Sequence, residues 1–127
     1  MARPASRHPT DRELQILKVL WESGPSGLGQ IFKELDRQRP VARTTVATIL
    51  KMMLEKGLVK RTSGSKGYLW SARVSQDATT RGSLRKLLNH FFDGSARKLV
   101  AHLLEDDKLT DQEREEIRRM IDAYDDK

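Results

Sequence analysis

The chain has 127 residues, 24 Lys+Arg against 18 Asp+Glu for a net charge of +6, and no cysteine, a size that holds one domain or a small domain with an appendage. Without cysteine there are no disulfides, thiolate metal sites or cysteine nucleophiles, and a reducing cytoplasm is the expected location. No apolar run approaches the roughly 20 residues that a bilayer crossing needs.

The opening MARPASRHPT has basic residues and no hydrophobic segment behind them, so it does not read as a secretory signal. Residues 1–9 are expected to form a flexible basic arm that reaches DNA phosphates, or else a disordered tail. Thr10-Asp11-Arg12-Glu13 has the form of a capping box and predicts a helix start. Leu14, Leu17 and Trp21, with Ile16 and Leu20 beside them, keep helical spacing until Ser23-Gly24-Pro25 stops it. Ser26-Gly27-Leu28 reads as a short extended piece. A second helix of about nine residues follows, carrying Ile31, Phe32 and Leu35, and ends in a charged loop at Pro40.

The third helix is expected from about Arg43 to Lys56, with Gly57 as its stop. Val46, Ile49, Leu50 and Met53 form its core stripe, and Thr44, Thr48, Lys51 and Glu55 fall opposite. Such a face is either solvated or set against a polyanion, where its hydroxyls and ammonium meet base edges and phosphates. Residues 58–61 and 68–71 alternate as strands do, and the loop at 62–67 holds two glycines and a lysine. Three helices and a basic-tipped hairpin make a winged helix-turn-helix over residues 10–72. Tyr68 and Trp70 share one face of the second strand, expected to pack the wing onto the helices, with base stacking as the other use. Charge follows the same division. Residues 1–72 carry 13 Lys+Arg against 6 Asp+Glu, and residues 73–127 carry 11 against 12. That describes an anion-binding head on a body with another task, or a basic surface that serves solubility alone.

Residues 73–127 read as helices only. Leu84, Leu87, Leu88, Phe91 and Phe92 form one apolar face, closed by Asp93-Gly94. Ser95 is placed to cap a helix with Leu99, Val100, Leu103 and Leu104, and a second capping box, Thr110 to Glu113, opens a helix with Ile117, Met120, Ile121 and Tyr124. Three short helices bury little by themselves. A two-fold dimer built mainly from residues 81–124 is therefore expected, the alternative being a monomer that folds these helices back on the head. The fold class is thus mainly α with a small β-wing, an N-terminal winged helix-turn-helix followed by a C-terminal helical dimerisation region.

No catalytic or metal site is expected, and no cofactor. His8, His90 and His102 lie far apart in sequence without HxxxH or HExxH spacing, and the latter two are expected to be partly buried packing residues. Glu105-Asp106-Asp107 and Asp125-Asp126 read as solvated charge, and there is no phosphate loop or GxSxG.

Thr44-Thr45-Val46-Ala47-Thr48-Ile49-Leu50, closing with Glu55-Lys56-Gly57-Leu58, resembles the recognition-helix segment of the BlaI/MecI penicillinase-repressor family. Leu20-Trp21-Glu22, the strand around Tyr68, and Phe92-Asp93-Gly94-Ser95 with Leu99-Val100 are similar as well, so the resemblance spans residues 10–124. It implies a bacterial repressor that binds inverted-repeat operators of resistance genes as a homodimer. By position, Thr44, Thr45 and Thr48 would face the groove, with Arg43 beside them at the start of the helix, Lys51 the backbone, and Lys66 at the wing tip a phosphate. In the antibiotic-responsive branch a membrane metallopeptidase sensor responds to β-lactam and the repressor is cleaved at an Asn-Phe bond. Here His102-Leu103 stands at that position, Arg43 where an aromatic residue is common, and Met52 where an arginine is common. The copper-responsive branch uses a cysteine-rich metal site that this sequence does not have. Two functions are carried forward: a sequence-specific repressor, and a winged-helix module that binds nucleic acid without sequence choice or an acidic protein.

Overall fold

The computed structural model describes residues 8–125, so most of the expected basic arm lies outside the described residues. The elements in chain order are α1 (Asp11–Ser23), α2 (Leu28–Gln38), α3 (Arg43–Lys56), β1 (Val59–Gly64), β2 (Gly67–Ala72), α4 (Gln76–Phe91), α5 (Ala96–Leu104) and α6 (Asp111–Asp125). This is a mainly helical chain with one antiparallel pair of strands, the architecture expected of a winged helix with a helical continuation. It divides into two compact units, residues 1–83 and 84–127, with the division inside α4.

In the first unit the capping box forms as the spacing predicts. Thr10 Oγ1 accepts from the Glu13 N–H at 3.2 Å, and Glu13 Oε1 accepts from the Thr10 N–H at 2.9 Å. The core is made by Ile16, Leu17, Val19 and Leu20 of α1, Ile31 and Leu35 of α2, Val46, Leu50 and Met53 of α3, and Leu58, Val59 and Trp70 of the wing. Leu28, expected to be extended, is instead the first residue of α2, whose N-cap is Gly27 and makes no side-chain cap. Gly57 ends α3 in the left-handed region, φ 80°, and the Leu58 N–H donates to the Met53 carbonyl at 2.9 Å, turning the chain directly into β1.

The wing is longer and its loop tighter than the composition of residues 62–67 suggests. Thr62, Ser63 and Gly64 continue β1, paired with Leu69, Tyr68 and Gly67, which leaves only Ser65 and Lys66 in the turn. The ladder's hydrogen bonds override the turn preference of these small polar residues. Ser26 adds a one-residue bridge, exchanging backbone hydrogen bonds with Trp70 at 3.0 and 2.8 Å. The Trp21 indole N–H donates to the Val74 carbonyl at 3.0 Å, fixing the exit of β2 to α1.

In the second unit α4 stops at Asp93 and Gly94, both at positive φ, and the Gly94 N–H donates to the Leu88 carbonyl. Ser95 caps α5 by accepting from the Lys98 N–H at 3.1 Å, and Thr110 and Glu113 form the second capping box at the start of α6. The Arg114 guanidinium donates to the Leu104 carbonyl at 2.7 Å, satisfying an orphan acceptor at the end of α5. Among the described residues of this unit only Leu88 is a buried hydrophobic residue. Leu84, Leu87, Val100, Leu103, Leu104 and Ile121 are exposed, as are Phe91 at 76%, Met120 at 60% and Tyr124 at 70%, whereas Phe92, Leu99 and Ile117 are half-buried. His90 and His102 are exposed and not partly buried as expected; the His102 and Phe92 rings lie edge-to-face, centroids 5.7 Å apart.

Candidate nucleic-acid interface

Once Val46, Leu50 and Met53 are committed to the core, the 3.6-residue period leaves Thr44, Thr45, Thr48, Lys51, Met52 and Glu55 on the outer side of α3, and all six are exposed. The Thr48 hydroxyl donates to the Thr44 carbonyl one turn back, at 3.0 Å. Its proton is thus occupied, and the exposed hydroxyl oxygen keeps the capacity to accept a hydrogen bond. Met52, 51% exposed, puts an unbranched apolar chain one turn beyond Thr48.

Arg43 opens α3. Its guanidinium lies 6.0 Å from the centre of the Phe32 ring and about 3.5 Å from where a Cβ on Gly29 would stand, an ordinary contact distance. Lys66 sits at the turn of the wing. Arg61, not singled out from the sequence as a site residue, is directly opposite Trp70 in the ladder. Its guanidinium covers the Tyr68 ring at 4.2 Å and stands 5.7 Å from the Trp70 ring. The signal that would have found it is strand alternation, since residue 61 shares a face with buried Val59.

The two aromatic residues separate in role. Trp70 is 6% exposed and packs the wing onto the helices as expected, while Tyr68 is 49% exposed and serves as a platform for Arg61. Arg43, Lys51, Arg61 and Lys66 make no side-chain hydrogen bond or ion pair among the described residues. Lys56, at the other end of α3, does the opposite. Its ammonium lies 3.0 Å from both carboxylate oxygens of Glu13, itself only 3% exposed, and ties the last turn of α3 to the first of α1. Helical periodicity does not reveal this pair, which joins residues far apart in sequence.

A model of the penicillinase repressor family matches residues 9–123. The chain is 22% identical over 115 residues to the penicillinase repressor of Bacillus licheniformis, covering 91% of this chain and 90% of that protein. It is 20% identical over 109 residues to the methicillin resistance regulatory protein MecI of Staphylococcus aureus, covering 86% and 89%. Among solved structures, Lactococcus lactis ZitR is similar at a TM-score of 0.45 and 21% identity, over 99% of this chain and 80% of that one. A match that runs from the first capping box almost to the end of α6 takes in both units, and the chain belongs to the penicillinase repressor family, a family of DNA-binding transcriptional repressors.

Proposed function

We propose that the protein acts in the cytoplasm as a homodimer that reads an inverted-repeat operator, each copy setting α3 into the major groove of one half-site. The observation that carries this is the outer face of α3, three exposed threonines and an exposed lysine with no ion partner, next to a wing whose turn is a lysine. Thr44, Thr45 and Thr48 are assigned to base edges, and Arg43, Lys51 and Lys66 to phosphates or groove edges. The exposed apolar residues of α4, α5 and α6 supply the two-fold contact. A unit with a single buried hydrophobic residue among its described residues has too little core to stand alone, and a second copy offers the same face in return.

Resistance genes are the expected targets by family. Release of DNA is proposed to proceed without scission of the His102-Leu103 bond, either by a cut elsewhere or by another signal; a membrane metallopeptidase sensor stays a partner only under the first. Mass spectrometry of the protein from induced cells reads this directly, and fragments ending at His102 would refute it. For the DNA-binding reading, selection of bound duplexes from random DNA should return an inverted repeat preferred by about 10³ or more over random sequence at physiological salt. Affinity that falls steeply with salt and shows no sequence ratio would favour the non-specific module instead.

A further inference from the structure

A concave site of about 420 Å³ lies between the start of α2, the inner flank of α3 and the wing, within the size range of about 300–1,000 Å³ typical of small-ligand sites. Its rim carries Arg43, Lys51, Arg61 and Lys66, and among the described residues no carboxylate lines it. The floor is different in kind. Leu28 and Ala47, both half-buried, line it together with Trp70, 6% exposed.

Four cations without ion partners around one hollow repel one another, and an anion placed among them relieves that repulsion. Arg61 stands with its guanidinium carbon 4.2 Å from the centre of the Tyr68 ring, a contact that does not consume its N–H donors. A backbone phosphate needs only the rim, whereas the hollow also offers apolar surface from Leu28, Ala47 and Trp70. We propose that the cleft between α3 and the wing binds a small amphipathic organic anion, its carboxylate or phosphate among the four cations and its apolar body on Leu28, Ala47 and the exposed edge of Trp70. Because Arg43, Lys51 and Lys66 are also assigned to DNA, such a ligand competes with the operator and provides a route of release that needs no proteolysis. The competition rests on the DNA-binding reading; the binding does not.

The test is a titration of the full chain, followed by amide ¹H–¹⁵N spectra, with naphthalene-2-carboxylate, its uncharged analogue naphthalene-2-methanol, and inorganic phosphate. The carboxylate should give saturable shifts at Gly27, Gly29, Gly67 and the Trp70 indole, and bind at least tenfold more tightly than either comparator. Arg61→Gln, at an exposed position, should weaken it at least tenfold while the spectrum stays dispersed. Equal binding of the alcohol would overturn the role of the cations, and equal binding of phosphate would overturn the apolar floor. Absence of saturable shifts, or shifts confined to residues 84–124, would overturn the site itself. Separately, saturating carboxylate should weaken duplex binding at least tenfold relative to the same concentration of acetate; failure of this arm alone refutes the competition and leaves the site standing.

Discussion

The Lys56 ammonium sits between both oxygens of a Glu13 carboxylate that also closes the capping box, so one buried side chain sets the end of α3 and the start of α1 together. Lys56→Met removes one partner and leaves the buried carboxylate with only the Thr10 N–H. By the usual penalty for an uncompensated buried charge this costs about 3 kcal/mol, read as a lower urea midpoint. Adding Glu13→Gln should return part of that loss, whereas an additive double variant would show the two groups to be uncoupled. On the outer face of the same helix, Thr48→Ala should lower affinity for the preferred duplex by about 1–3 kcal/mol and leave random duplexes nearly unchanged. Lys66→Ala should weaken all duplexes alike and reduce the salt slope by about one. Equal losses from both variants on every duplex, measured by fluorescence anisotropy, would refute base reading by Thr48. Among these residues the capping role of Glu13 and the outward threonines are legible in the sequence, because both follow from local spacing. The ion pair across the head is not, because it depends on how α1 and α3 pack.

Elements with covalently obvious stops came through the sequence well. Gly57 is needed at φ 80°, and a Cβ there would meet no atom within 4 Å, so Gly57→Ala tests backbone strain alone. It should cost about 1 kcal/mol, seen as a lower thermal midpoint. Ser95→Ala removes the side-chain cap of α5 and should cost about 1 kcal/mol in the same measurement. The wing is less legible in the sequence. Residues 62–64 have turn-like composition, yet they are held in the ladder by pairing with residues 67–69, and no local pattern reports that pairing. Tyr68 and Trp70 illustrate the same limit. Alternation places them on one face, but the depth of that face differs along the strand, and only Trp70 lies under cover, beside its bridge to Ser26. α4 likewise starts at Gln76, ahead of the apolar residues that betray it, because its first turns carry Asp77, Thr79, Thr80 and Arg81.

At the scale of the molecule, the head buries a dozen hydrophobic residues from three helices and the wing, while the second unit shows its apolar residues to solvent. The sequence reading divides the chain after residue 72, and the compact units divide after residue 83, inside α4; in both, the helical continuation has apolar stripes without enough chain to cover them. If a second copy covers them, Leu103→Glu combined with Ile121→Glu should convert the dimer to a folded monomer in sedimentation velocity, with the head's thermal transition preserved. The same change should cost the selected operator most of its affinity, because two heads on one duplex gain from being linked. The most direct test of the central claim, that α3 reads each half of an inverted repeat from a two-fold dimer, is the affinity of the intact protein for the selected repeat against a duplex of equal length holding one half-site and one scrambled half. At physiological salt the repeat should bind two chains, and at least 100-fold more tightly, a factor of about 2.7 kcal/mol. Equal affinity for the two duplexes, or one chain per repeat at saturation, would contradict it.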